Sequence, residues 1–190
     1  MKIKKLTKIA EYAIRIEPGE KLMASLEKFM RDVQGGYATF HIPTGGGFTD
    51  VECSFSIKGG GEKHKFVGPM ELAGAGGNIA WSYEKPNTPS VHCHLSLGDE
   101  QLKGHVAHLI EATANLTAEV KIEVYKEKIF RKLDERVNLN LLDLPSGPAE
   151  KIKKDNFIWW IIIPLGLIIV WLIVITIILV KKSIGNKGND

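Results

Sequence analysis

The fold and the chemistry of this chain are decided by residues 91–106, which read Val91-His92-Cys93-His94-Leu95-Ser96-Leu97-Gly98-Asp99-Glu100-Gln101-Leu102-Lys103-Gly104-His105-Val106. Apolar residues alternate on both sides of the polar cluster at 98–101, which is typical of two half-buried strands joined by a tight turn. We predict a β-hairpin with a two-residue loop at Asp99-Glu100. This register places His94 opposite His105.

Three histidines converge under this register. Residues two apart on a strand share a face, and directly opposed Cβ atoms lie only about 4.5 to 5.5 Å apart. His92, His94 and His105 therefore share the outward face, while Leu102 and Val106 lie on the core face with the other apolar residues. A slip of one residue would move His105 to the other face, so the cluster depends on the register.

This cluster is a candidate metal site. A His-x-His pair alone is usually just an exposed pair, but a third histidine opposite it changes the interpretation. Three neutral imidazoles, each about 2.0 to 2.1 Å from zinc, leave one tetrahedral position open for activating water or polarising a carbonyl. We predict zinc or a similar divalent metal on His92, His94 and His105. The remaining histidines are expected to be surface or core residues: His41, His64 and His108.

The elements around the hairpin predict an α+β domain over residues 1–144. Apolar residues at 22, 26, 29, 30 and 33 form one helical stripe, and Gly35 ends it. Alternating segments predict a mainly antiparallel sheet of about seven strands covered by this main helix. Residues 67–83 are interpreted as two short strands broken by the glycines at 74–77.

The C-terminal part differs in composition. Residues 157–180 carry no charged side chain and would be about 36 Å long as a helix, against roughly 30 Å of bilayer hydrocarbon. We predict a single transmembrane helix here, preceded by a linker at 145–156 and followed by a short polar tail at 181–190. A buried core helix is the alternative. Because no export signal is visible, the expected topology is a single-pass tail anchor with the N-terminal domain in the cytoplasm.

The charge of the chain is unevenly divided. The whole chain has a net charge of +3, and six lysines and two aspartates give residues 151–190 a charge of +4, which leaves −1 for residues 1–150. Phosphate attraction needs clustered lysine and arginine side chains. No nucleic acid partner is therefore expected.

Several segments, in order, resemble the PPC (plants and prokaryotes conserved) domain over roughly residues 10–144. They are Tyr12 to Glu20, Gly68 to Leu72, Gly77 to Ile79, His92 to Leu95, Gly104-His105, and Arg131 with Asp134-Glu135. The resemblance implies a compact α+β fold that assembles as a homotrimer, with the three histidines grouped and suspected of holding zinc. In plants the domain accompanies AT-hook segments. No Arg-Gly-Arg-Pro hook is present here, so a DNA role is not carried over.

Two classes of function follow. The preferred one is a membrane-anchored binding or regulatory domain, a trimer whose histidine site senses or holds a metal or a small ligand. The alternative is a metal-dependent enzyme acting on a small cytoplasmic substrate. Glu71 could approach the site from a neighbouring strand, but an exposed or salt-bridged glutamate is the expected interpretation of that residue. A DNA-associated regulator comes third. Binding is preferred because no nucleophile, base or cofactor loop completes a catalytic set.

Overall fold

The computed structural model describes residues 1–43, 45–55 and 61–146. The chain divides into two units, Met1–Ala149 and Glu150–Asp190, and the second lies wholly outside the described residues. In chain order the described elements are β1 (Lys8–Ile16), α1 (Leu22–Val33), β2 (Tyr37–Ile42), β3 (Gly47–Ser54), β4 (Lys63–Phe66), β5 (Met70–Ser82), β6 (Pro89–Gly98), β7 (Gly104–Ala114), β8 (Ala118–Tyr125), β9 (Phe130–Asp134) and β10 (Leu139–Leu142).

The strands of the described part form one sheet in the order β1-β8-β2-β5-β6-β7-β3-β4, with β9 and β10 branching from β5. The pairings are antiparallel except that β9 runs parallel to the end of β5. β3 pairs with β7 along its length and with β5 through Gly47 and Phe48. Strands β5, β6, β7 and β3 therefore form a closed ring of paired strands. The β9–β10 hairpin pairs with the far end of β5.

Helix α1 packs against strands β5, β6 and β7 of this closed arrangement. Its apolar stripe confirms the predicted helix, and Leu22, Leu26 and Met30 are fully buried. Its N-terminus has no side-chain cap of its own. Instead, the Met23 amide donates to the carboxylate of Glu111 on β7 at 2.9 Å, which satisfies one of the free N–H groups of the first turn.

The predicted fold class is wrong in two respects, and the strand count is the first. The described residues contain ten strands rather than about seven. Strands β4 and β9 are short and rich in charged residues, so they lack the alternation that marks a half-buried strand. Residues 70–82 form one strand instead of two.

Glycine continues strand β5 where it was expected to interrupt it. Gly77 lies opposite Cys93 in the ladder with β6. A Cβ at this position would overlap the carbonyl oxygen of His92 and meet the ring of Phe40. The missing side chain therefore lets β5 lie close to its two neighbours, which is one of the recognised reasons for glycine inside a strand.

The second correction concerns the predicted transmembrane helix and the predicted membrane location. Within the described ranges no helix is long and apolar enough to cross a membrane. Helix α1 has 12 residues, about 18 Å at the helical rise, against the roughly 30 Å that a span requires. The predicted span at 157–180 lies outside the described residues.

We expect Gly77→Ala to destabilise the domain by about 2 kcal/mol or more, because the added methyl group meets backbone that cannot move without shifting His92. Gly98→Ala is the matched control, since an added Cβ at Gly98 on β6 meets nothing within 4 Å. Urea denaturation of both variants measures the difference, and equal stability of the two would contradict this account of β5.

Candidate metal site and its cleft

The β6–β7 hairpin has a different register from the predicted one. Gly98 lies opposite Gly104, Leu97 opposite His105, and His94 opposite His108. The Asp99 amide donates to the Lys103 carbonyl oxygen at 3.0 Å, and the Leu102 amide donates to the Asp99 carbonyl oxygen at 2.9 Å. The loop is therefore Glu100-Gln101-Leu102, with Leu102 in the left-handed region at φ 60°. This is the three-residue hairpin loop in which a left-handed residue follows a type I turn.

The change of register separates His105 from the other two predicted ligands. A shift of three residues is odd, so it moves His105 to the opposite face of β7. There its ring contacts that of Phe66 in a tilted arrangement with centroids 4.8 Å apart, and its Nε2 lies 2.9 Å from the carboxylate of Asp99. The hydrogen bond from His105 is the main cause that lowers the pKa of Asp99. His105 therefore interacts with the turn residue Asp99 and not with His92 and His94.

His108 takes the position expected for His105. The ring centroids of His92, His94 and His108 are 4.9 to 5.2 Å apart. One nitrogen from each ring lies within 4.8 Å of the corresponding atoms on the other two. These three side chains, called the histidine triad below, can hold one metal ion. His94 is exposed and the other two are partly buried, so the triad is open to solvent on one side.

The surroundings of two members of the triad, His92 and His108, favour the neutral form of the imidazole. Burial, followed in importance by the positive charges of Arg131, His108 and His94, lowers the pKa of His92 to about 4. Burial also lowers the pKa of His108, with smaller effects of His94 and Arg131. A neutral imidazole is the form that binds a metal, so the lowered pKa values of His92 and His108 favour binding of a divalent ion at neutral pH.

Cys93 stands between His92 and His94 in sequence but lies on the core face of β6. It is fully buried, and burial raises the pKa of its thiol to about 12. The thiol therefore stays protonated and does not join the triad. Cys53 is also a free, buried thiol, as expected for core cysteines.

The triad opens into a cleft of about 670 Å³, called the triad cleft below. It is lined by strands β5, β6 and β7, by the end of β3 and by the β9–β10 hairpin. Arg131 on β9 enters the cleft and donates from Nη2 to the side-chain oxygen of Asn78 at 2.6 Å. Asn78 is the ladder partner of His92, so the guanidinium lies beside the triad.

Glu71 is not at the site. It lies opposite Gly98 at the start of β5, seven residues before Asn78, which is about 23 Å along a strand. The polar groups that line the triad cleft among the described residues are imidazoles, amides, a serine pair and one guanidinium.

Sequence reasoning missed His108 and the role of Arg131. Asp99 was the available signal, because aspartate favours the first position of a type I turn. A turn that starts at Asp99 gives the register in which His94 lies opposite His108. This turn was not predicted because its left-handed position is occupied by Leu102 rather than by glycine. Arg131 was noted only as part of a family segment, since β9 has no strand pattern.

A model of the Plants and Prokaryotes Conserved (PCC) domain, also abbreviated PPC, matches residues 4–126. The chain belongs to this family. The resemblance drawn from sequence segments is therefore confirmed for the domain, and the C-terminal anchor has no support. The match includes the histidine triad and ends before β9, so it does not include Arg131. No curated protein matches the sequence.

Solved structures share the fold of this PCC domain. A PPC protein from Pyrococcus horikoshii is 23% identical with a TM-score of 0.68, covering 77% of this chain and 100% of its own. A protein from Ralstonia eutropha JMP134, provisionally described as DNA-binding, is 26% identical with a TM-score of 0.62, covering 70% of this chain and 91% of its own. A metal-containing protein from Archaeoglobus fulgidus is 22% identical with a TM-score of 0.63, covering 74% of this chain and 98% of its own.

The alignment with this domain covers the whole Pyrococcus chain, so the fold occurs there without further chain. Unit Met1–Ala149 of the present chain likewise contains the whole described core. We therefore use a fragment of residues 1–149 in the experiments below.

We expect the metal-free PCC domain to lose stability as the pH falls from about 6.5 to about 4. An unfolded histidine takes up its proton near pH 6.5, whereas folded His92 stays neutral until about pH 4. The unfolded state thus binds more protons in this window, so this contribution is present above pH 6.5 and lost through pH 4. Its size is about 1 to 2 kcal/mol after allowing for partial exposure.

Denaturant midpoints at pH 7 and pH 4.5 measure this loss. His92→Asn should make the pH dependence shallower, and His64→Asn, at an exposed position on β4, should leave it unchanged. An equal pH dependence in all three proteins would contradict the assignment to His92.

Proposed function

We propose that this PCC domain is a binding or regulatory module that holds a zinc-like divalent metal ion on His92, His94 and His108. The observation that carries the proposal is the convergence of three imidazoles, whose ligand nitrogens lie within 4.8 Å of one another. Three such ligands would leave the ion a further position for an oxygen or nitrogen atom of a bound molecule. The description of the Archaeoglobus relative as metal-containing agrees with this proposal. His105 is left out because it is engaged with Asp99.

The composition of the triad cleft supports binding rather than catalysis. General acid–base chemistry needs a group that exchanges a proton within reach of the reacting atom. The described polar lining beside the triad consists of amides, hydroxyls and a guanidinium, which hydrogen-bond to a ligand without exchanging protons near neutral pH. A metal-dependent enzyme is the alternative, and it would need a base from the substrate or from the metal-bound water.

DNA binding is not the function that we propose. The description of the Ralstonia relative runs against the expectation of no nucleic acid partner. The charge of residues 1–150 is −1, which provides little of the counterion release on which sequence-independent DNA affinity depends.

We expect the 1–149 fragment, purified without a histidine tag, to retain close to one divalent metal ion per chain. His108→Ala should weaken metal affinity by roughly 100-fold or more, because loss of a ligand costs at least as much as loss of a supporting partner. Metal content by mass spectrometry and competition with a chromogenic chelator measure both quantities.

His105→Ala is the matched control for His108→Ala. Both variants remove one imidazole from β7, but His105 lies on the opposite face, so His105→Ala should keep its metal. Retention of metal by His108→Ala, or its loss from His105→Ala, would rule out the proposed ligand set.

The homotrimer implied by the family resemblance remains a prediction. We expect the 1–149 fragment to sediment as a trimer at micromolar concentration. Sedimentation equilibrium with and without added zinc measures the mass and its dependence on metal. A monomer under both conditions would exclude the trimer.

A further inference from the structure

Arg131 is a buried cation that the described protein does not neutralise. The residue is only 9% exposed. Its Nη1 donates to the carbonyl oxygen of Asn140 at 3.0 Å and its Nη2 to the side chain of Asn78, and both acceptors are neutral. Its Nε is buried without an acceptor among the described residues. Asp134, the acid closest to it on β9, pairs with Arg136 instead.

A buried charge is costly unless it is paired or fully hydrogen-bonded. Two neutral acceptors compensate the guanidinium only in part, because the strong partners of arginine are carboxylates and phosphates. Arg131 and the histidine triad line the same cleft. An anionic oxygen group in the cleft would supply the negative charge that the described partners of Arg131 lack.

The rim of the triad cleft is apolar. Three large apolar side chains on it stand well exposed: Phe55 at 68%, Val106 at 74% and Leu141 at 42%. They come from three different strands or strand ends. Exposed apolar side chains that surround a concave site are typical of ligand-binding surfaces.

We infer that the triad cleft binds a small organic carboxylate, with the carboxylate group on Arg131 and the apolar part against Leu141 and Val106. This inference rests on the proposed function, because the triad and Arg131 share one cleft and a metal ion would add to the attraction for the anion. An organic acid fits better than inorganic phosphate. A volume of about 670 Å³ exceeds what phosphate fills, and phosphate would leave the apolar rim in water.

The test is a titration of the Co²⁺-loaded 1–149 fragment with hexanoate, followed by calorimetry and by the visible absorption of the cobalt. We expect hexanoate to bind more tightly than acetate, by up to roughly fourfold for each methylene group that contacts the rim. Hexan-1-ol, which lacks the charge, should bind at least tenfold more weakly than hexanoate. Inorganic phosphate is the competing oxyanion.

Arg131→Gln should weaken hexanoate binding about tenfold to hundredfold, the usual effect of losing a charged hydrogen bond. Arg136→Gln is the matched control, because Arg136 lies on the turn between β9 and β10 and pairs with Asp134 outside the cleft. Leu141→Ala should weaken hexanoate but not acetate. If Arg131→Gln does not fold, Arg131→Lys keeps the charge without the planar fork and should still weaken binding.

The outcomes separate this inference from the proposed function. Cobalt binding with equal hexanoate affinity in the wild type and Arg131→Gln would overturn the inference and leave the metal site intact. Failure to bind cobalt, with hexanoate binding that still depends on Arg131, would remove the metal site and support the inference. Tighter binding of phosphate than of hexanoate would overturn the assignment to an organic acid.

Discussion

The site of this PCC domain depends on the turn between β6 and β7. The carboxylate of Asp99 accepts hydrogen bonds from the amides of Gln101 and Lys103 at 3.0 and 2.9 Å. These bonds hold a loop of three residues, and the loop length sets which residues of the two strands are opposed. His94 and His108 become direct neighbours only in that register. One side chain in an exposed turn thus determines the composition of a site several residues away.

The close approach of β5 to its neighbours is the second requirement. β5 pairs with both β2 and β6, and it carries Asn78 next to His92. Glycine at position 77 allows this approach because a side chain there would collide with the backbone of His92. Glycine interrupts many strands, but here Gly77 allows the central strand β5 to pair with both neighbours. The position of His92 is therefore set by backbone contacts on one side and by the hairpin on the other.

Among the described residues that line the triad cleft, Arg131 carries a positive charge and none is acidic. The imidazoles of the triad lie together with an arginine whose acceptors are neutral, and burial lowers the pKa of His92 and of His108. Burial also lowers the pKa of Arg131, although the guanidinium of an arginine stays charged at neutral pH. A site of this kind disfavours further protonation and favours an external anion or a metal–anion pair. The chemistry proposed for the domain follows from this imbalance.

The sequence by itself determined the elements whose signals are local. The apolar stripe of α1, the existence of the β6–β7 hairpin and the outward direction of His92 and His94 all follow from side-chain periodicity, which neighbouring residues encode. The family was also readable from ordered segments. The tertiary structure alone decided that His108 rather than His105 joins these two side chains, that Gly77 lies inside a strand, and that Arg131 reaches the cleft from β9. Each of these depends on strand register or on pairing between distant segments, and periodicity does not encode either of them because a strand keeps the same pattern when it slips along its partner.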